Sequence, residues 1–214
     1  MDEMNLLAGG ASGLLPSGAS GVPHVVRREL VLGGQKSGKS RRAEALAAAW
    51  LASAPGRRAV LIATASAGDD EMRARIERHQ RERAARVPGM TTVEASPDLP
   101  AAITSAGGAE TLRVVDCLTL WLTQQIMPDG VSNQKVPLAQ ADKAETARLL
   151  RAIEDCSGPL VLVGNEIGLG VIPLGREVRA FVDALGALNQ SVAAVCDRVT
   201  LMVAGLRMTV KGAP

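Results

Sequence analysis

Residues 29–40 read ELVLGGQKSGKS. An apolar run ends on paired glycines, and Gly33, Gly38, Lys39 and Ser40 fall at the spacing G-x-x-x-x-G-K-[ST]. The residues that follow, SRRAEALAAAWLA, are rich in alanine and predict a helix over 40–52. A buried strand that breaks on glycine and turns into a helix leaves little choice of architecture. The strand must lie inside a sheet, and the helix must fold back over it. The spacing also has a chemical sense. Glycine lets the backbone N–H groups along Gly33, Gly34, Gln35, Lys36, Ser37, Gly38, Lys39 and Ser40 turn inward around phosphate oxygens. Lys39 then reaches the β- and γ-phosphates, and Ser40 is placed to ligate Mg²⁺. The positive end of the helix faces the same anion.

The strand rhythm recurs along the chain. AVLIAT (59–64), TLRVVD (111–116) and PLVLVGN (159–165) are short and rich in apolar residues, TTVEA (91–95) reads as a further short strand, and helical stretches separate them. Helices are expected over 69–86, 98–105, 138–156 and 175–195, with 117–126 either helical or turn-like, and the acidic residues 69–71 suit the start of the first. RVTLMVAGLRMTV (198–210) reads as two strands around Ala204 and Gly205. Apolar strands alternating with helices predict an α/β fold: a mainly parallel sheet, helices on both faces, and a C-terminal strand pair. Residues 127–137 read as a loop. Residues 1–27, rich in Gly, Ser and Ala, read as a disordered extension before one domain over 28–214.

Composition removes several partners. With one Phe, two Trp and no Tyr, the chain has no stacking platform for single-stranded nucleic acid. A net charge of +2 gives no reason to expect a polyanion partner. Cys117, Cys156 and Cys196 are odd in number and lack metal-ligand spacing, so they read as buried thiols in a reducing compartment. No apolar run is long enough to span a bilayer, and the acidic start MDEMNLLAGG makes a poor signal peptide. The expectation is a cytoplasmic protein.

Three further groups carry candidate chemistry. Asp116 ends TLRVVD, where a phosphate loop needs an acid for Mg²⁺; a plain helix N-cap is the other reading. Asn165 and Glu166 leave a strand into NEIGLGVIP, at the sheet end where ligands bind, and either touch nucleotide, metal or acceptor or form a local turn. The third is DDEMRARIERHQRERAAR, which holds His79, one of two histidines. Met72, Ile76, His79 and Arg83 share one helical face. His79 is then either a border residue or a group facing the phosphate site, and Arg75 and Arg83 beside it would attract a polyphosphate.

Taken in order, GGQKSGKS, IATASAGDDEMRARIERHQRER, VVDCLTLWLT, NEIGLGVIP and ALNQSVAAVCDRVTLMVAGL resemble one family, over Glu29 to Lys211. It is the bifunctional adenosylcobinamide kinase / adenosylcobinamide-phosphate guanylyltransferase family of cobalamin biosynthesis. The resemblance implies a P-loop NTPase fold and a homotrimer. It implies phosphorylation of the aminopropanol hydroxyl of adenosylcobinamide by ATP or GTP. GMP transfer from GTP follows, giving adenosylcobinamide-GDP and pyrophosphate. It further implies that His79 carries the GMP, and that the nucleotide is touched by Gly33 to Ser40, by Ala63, Thr64 and Ala65, by Gln80, Arg81, Glu82 and Arg83, by Glu94 and by Asp116. The alternatives are a monofunctional small-molecule kinase, in which His79 is structural, and a non-enzymatic nucleotide-binding protein.

Overall fold

The computed structural model describes residues 23–65, 70–95, 98–126 and 138–213; for Glu71, Met72, Arg75 and residues 138–142 only the backbone is described. The Met72 and Arg75 side chains, the loop 127–137 and the first 22 residues therefore lie outside the description. The strands are β1 (Arg28–Gly33), β2 (Arg58–Ala63), β3 (Met90–Glu94), β4 (Thr111–Asp116), β5 (Leu160–Val163), β6 (Arg198–Val203) and β7 (Leu206–Lys211). The helices are α1 (Lys39–Ser53), α2 (Asp70–Arg86), α3 (Leu99–Ser105), α4 (Leu118–Ile126), α5 (Leu138–Asp155) and α6 (Arg176–Val195).

The seven strands form one sheet in the order β3-β2-β4-β5-β1-β6-β7. Every neighbouring pair is parallel except β6 and β7, which pair antiparallel. Each central strand feeds two cores, because successive side chains point to opposite faces. Leu30 and Leu32 of β1 and Leu160 and Leu162 of β5 pack under α3, α4, α5 and α6, with Leu99, Trp121, Ile153 and Leu188. Val31, Val161 and Val163 face the other way, onto Ala43, Leu46 and Ala47 of α1. Two buried faces explain why these strands read as unbroken apolar runs. The three cysteines are buried and unpaired. Burial pushes the Cys117 thiol up, and that of Cys196 up to about 12. Such thiols are inert packing groups.

The strand that leads into the glycine loop is fastened at its start. Glu29 is 1% exposed and meets Arg42 of α1 at 3.2 Å and Arg198 of β6 at 3.4 Å. Thr200 donates its hydroxyl to the same carboxylate at 2.9 Å. A buried charge held on three sides ties β1, β6 and α1 together, and removing one partner of such a group is costly. The described chain begins ahead of this point. Val25 packs against the α1 core, and the His24 carbonyl accepts a hydrogen bond from Arg198.

Candidate active site

Sheet register brings the candidate residues to one edge. At the C-terminal end of β2, Ala63 pairs with Glu94 on one side and Asp116 on the other. Val163 of β5 lies between Asp116 of β4 and Val31 of β1. The loop after β1, the acid after β4 and the Asn165–Glu166 turn after β5 thus leave the sheet along one line. In parallel α/β sheets this edge is where ligands bind.

The loop from Gly33 to Ser40 has the conformation its glycines allow. Gly33 has φ 153°, and a Cβ there would lie 2.5 Å from the Met202 carbonyl oxygen of β6. Only glycine lets the strand end so close to its neighbour. Gly38 has φ 103° and caps α1. Lys36, with φ 55°, makes the bend between them. The β6–β7 turn supports the loop from outside, since the Gly205 N–H donates to the Ser37 carbonyl at 2.9 Å. Lys39 folds its ammonium back onto the Gly34 carbonyl at 2.6 Å. Burial pulls its pKa below the ordinary lysine range, opposed by the nearby Cys117 and Asp116. A bound polyphosphate would pull the other way, because opposite charge favours the ammonium form.

Ser40 donates its hydroxyl to the Asp116 carboxylate at 3.0 Å. This contact turns the Asp116 carboxylate toward the phosphate loop. A network behind it fixes the end of β4. Thr64, 1% exposed, accepts from the Cys117 N–H at 2.7 Å and donates to the Cys117 carbonyl at 2.8 Å. The Thr64 N–H donates to the Asp116 carbonyl at 3.2 Å, and Gln124 of α4 donates to the Thr64 carbonyl at 2.8 Å. The Thr64 side chain is therefore turned into the protein.

Asn165 and Glu166 are placed with equal care. The Asn165 N–H donates to the Thr119 hydroxyl at 2.9 Å, and its carbonyl accepts from Asn189 of α6 at 3.1 Å. The Glu166 N–H donates to the Gly33 carbonyl at 3.1 Å, joining this turn to the phosphate loop. The Glu166 carboxylate accepts from the Gly168 N–H at 2.9 Å. The local turn is real, and it abuts the loop.

Helix α2 is built differently. None of its described side chains is buried; Ile76, His79 and Arg83 are half-buried, and Gln80, Arg81 and Glu82 are exposed. Arg83 and Arg86 turn toward α1 and its Glu44, which is 5% exposed. Arg86 Nε lies 2.6 Å from the carboxylate and Arg83 Nε 3.8 Å away. His79 lies one turn before Arg83 and two before Arg86, on the side of the helix that faces α1. Arg83, whose charge is expected to attract a polyphosphate, shares the single Glu44 carboxylate with Arg86. Glu94, at the end of edge strand β3, is exposed.

Sequence reasoning located the loop, Asp116 and the Asn165–Glu166 turn. It missed Glu44, Thr119 and Asn189. Glu44 had a signal, since it stands one turn after Ser40 as the one acid in an alanine-rich helix. Thr119 and Asn189 act across the sheet edge and had none.

A strand, a glycine-rich loop and a helix with Lys39, Ser40 and an apposed Asp116 define a P-loop nucleotide-binding protein of the α/β class. Comparison with known proteins narrows the class. The family model described as cobinamide kinase / cobinamide phosphate guanyltransferase matches residues 29–210. The chain belongs to that family of enzymes. A bifunctional adenosylcobalamin biosynthesis protein CobP from Pseudomonas aeruginosa is 44% identical over 187 residues, covering 87% of this chain and 99% of the relative. The proteins named CobU from Salmonella typhimurium and Escherichia coli are each 35% identical, covering 85% of this chain and 98% of their own length.

Proposed function

We propose that this chain carries out both reactions of its family at the edge just described. It first passes the γ-phosphoryl group of ATP or GTP to the aminopropanol hydroxyl of adenosylcobinamide. It then transfers GMP from GTP to that phosphate, giving adenosylcobinamide-GDP and pyrophosphate, in the assembly of cobalamin. The observation that carries the reading is the Ser40–Asp116 contact at 3.0 Å beside Lys39. It places a hydroxyl, a carboxylate and an ammonium around one loop.

The residues present suit Mg²⁺. Ser40 and Asp116 offer hard oxygen donors, and among the described residues no cluster of three acidic, His or Cys side chains forms a complete protein cage. A cation held by few protein oxygens and by substrate phosphates is the usual magnesium arrangement. Mg²⁺ would there neutralise charge on the β- and γ-oxygens. The protein groups do the rest. The loop N–H groups and Lys39 hold the triphosphate and stabilise charge on the transferred group. For the second reaction, a ring nitrogen of His79 attacks the α-phosphorus. An N–P bond forms, the P–O bond to pyrophosphate breaks, and the acceptor phosphate oxygen later displaces the histidine. Splitting the transfer in this way is covalent catalysis. The position of His79 on the α1-facing side of α2 supports the role.

The working form is a homotrimer in the cytoplasm. Val171 and Leu174 are 96% exposed in a run that also bares Leu169 and Ile172, and apolar surface of this kind favours association. No helix among the described residues is long and apolar enough to cross a membrane.

Incubation with GTP labelled in the α-phosphate tests the covalent step. Acid-labile, base-stable label is expected on the protein and absent from His79→Ala, whose kinase turnover should persist. Equal labelling of the variant removes His79 from the mechanism. No labelling of the parent protein leaves a monofunctional kinase.

A further inference from the structure

The described side chains of the helix that bears His79 are attached by charge rather than by apolar burial. A surface helix is normally held by an apolar stripe sunk into the core. Here no described side chain of α2 is buried. The first residue after the helix to enter a core is Val87, 2% exposed, whose N–H donates to the Arg83 carbonyl at 2.8 Å. Among the described residues, the contacts that fix the helix against the body lie at its C-terminal end.

At that end stands Glu44. Among the described residues, the only ion pairs between α2 and the rest of the chain are Arg83–Glu44 and Arg86–Glu44. Arg86 grips the carboxylate through two nitrogens, Nε at 2.6 Å and Nη2 at 3.3 Å. Such a two-point hold fixes orientation as well as distance. Arg83 approaches within 3.8 Å, and its Nε is buried with no hydrogen bond. Glu44 follows Ser40 by four residues on α1, so the two share a face one turn apart. The first turn of that face meets Asp116 and the phosphate loop; the next meets the histidine helix.

The geometry points to Glu44 as a positioning residue for guanylyl transfer. It sets the angle at which α2 leaves α1, and with it where His79 lies relative to a nucleotide on Gly33 to Ser40. It touches neither substrate, and phosphoryl transfer, which uses the loop and Asp116, does not depend on it. The inference rests on the proposed role of His79.

The two reactions supply the test. Glu44→Gln keeps the side-chain size and removes the charge. Guanylyl transfer, and the rate at which α-labelled GTP modifies the protein, should fall about 10- to 100-fold, the scale of a misplacement near 1 Å. Kinase kcat/KM should stay within about twofold. Glu44→Asp, which keeps the charge but not the size, should retain more of the labelling rate than Glu44→Gln, which a purely packing role would not do. If Glu44→Gln folds poorly, Arg86→Gln breaks the same pair from its exposed side and is read by the same split. Equal loss of both activities, or no loss of either, overturns the inference. His79→Ala in parallel separates the two ideas: labelling that survives there removes the histidine reading, whereas labelling lost there but unchanged in Glu44→Gln removes only the Glu44 reading.

Discussion

The phosphate loop and helix α2 both adjoin helix α1, yet they are made by different forces. The loop grows from a strand buried on both faces and is bounded by backbone groups of β6, the β6–β7 turn and the Glu166 turn. Its shape follows from glycine geometry and close packing, which tolerate little change. Helix α2 is polar almost throughout, and its described side chains join it to the body by charge at one end. The loop suits a triphosphate that must be held in one place. The helix suits a group that serves one of two reactions at that place.

The comparison breaks at its strongest point if Lys39→Ala spares either reaction. Both should fall by about 10²–10³-fold, the loss seen when a donor to a charged transition state is removed. Steady-state rates of kinase and guanylyl transfer, measured separately, check this. A guanylyl transfer that survived would mean the histidine helix holds its own nucleotide.

Stability should show the contrast next. One methyl group at Gly33 meets the Met202 carbonyl at 2.5 Å. Gly33→Ala should therefore cost about 1–3 kcal/mol, as overpacking does. The midpoint of urea unfolding would report it. On α2 the same measurement should barely move. Ala84 is exposed, and Ala84→Gln should shift stability by about 0.5 kcal/mol or less. A large effect there would mean that α2 is buried against something beyond this chain, a second subunit first of all.

Much of this was readable in advance, for a physical reason. Strands buried on both faces are apolar at most positions, with Glu29 and Arg113 as buried exceptions, so ELVLGG, AVLIAT, TLRVVD and PLVLVGN stand out without any knowledge of their order. β1, β2 and β4 end within a residue of where the pattern placed them; β5 is shorter than PLVLVGN, ending at Val163. The glycine loop was legible because its backbone needs specific residues at specific steps. The order of strands was not, because every buried strand looks alike from its own composition. Hence nothing in the sequence says that Ala63 sits between Glu94 and Asp116, or that Thr64 turns inward to hold Cys117. The hold on α2 was hidden for another reason. It joins Glu44 to Arg86, 42 residues apart, and a pair of charges has no periodicity to betray it. His79 could be placed on a face by counting, but what that face meets depends on this pairing.

The support that the β6–β7 turn gives the phosphate loop has a consequence in time. The loop occupies positions 33–40, while the N–H that braces it from outside belongs to Gly205. A ribosome makes a chain from its N-terminus, so the nucleotide cradle is written early and completed late. For most of its synthesis the protein carries the phosphate-binding sequence without its buttress. Competence to hold a nucleotide should thus arrive only with the final hairpin, and GTP present during translation would favour chains that have reached it.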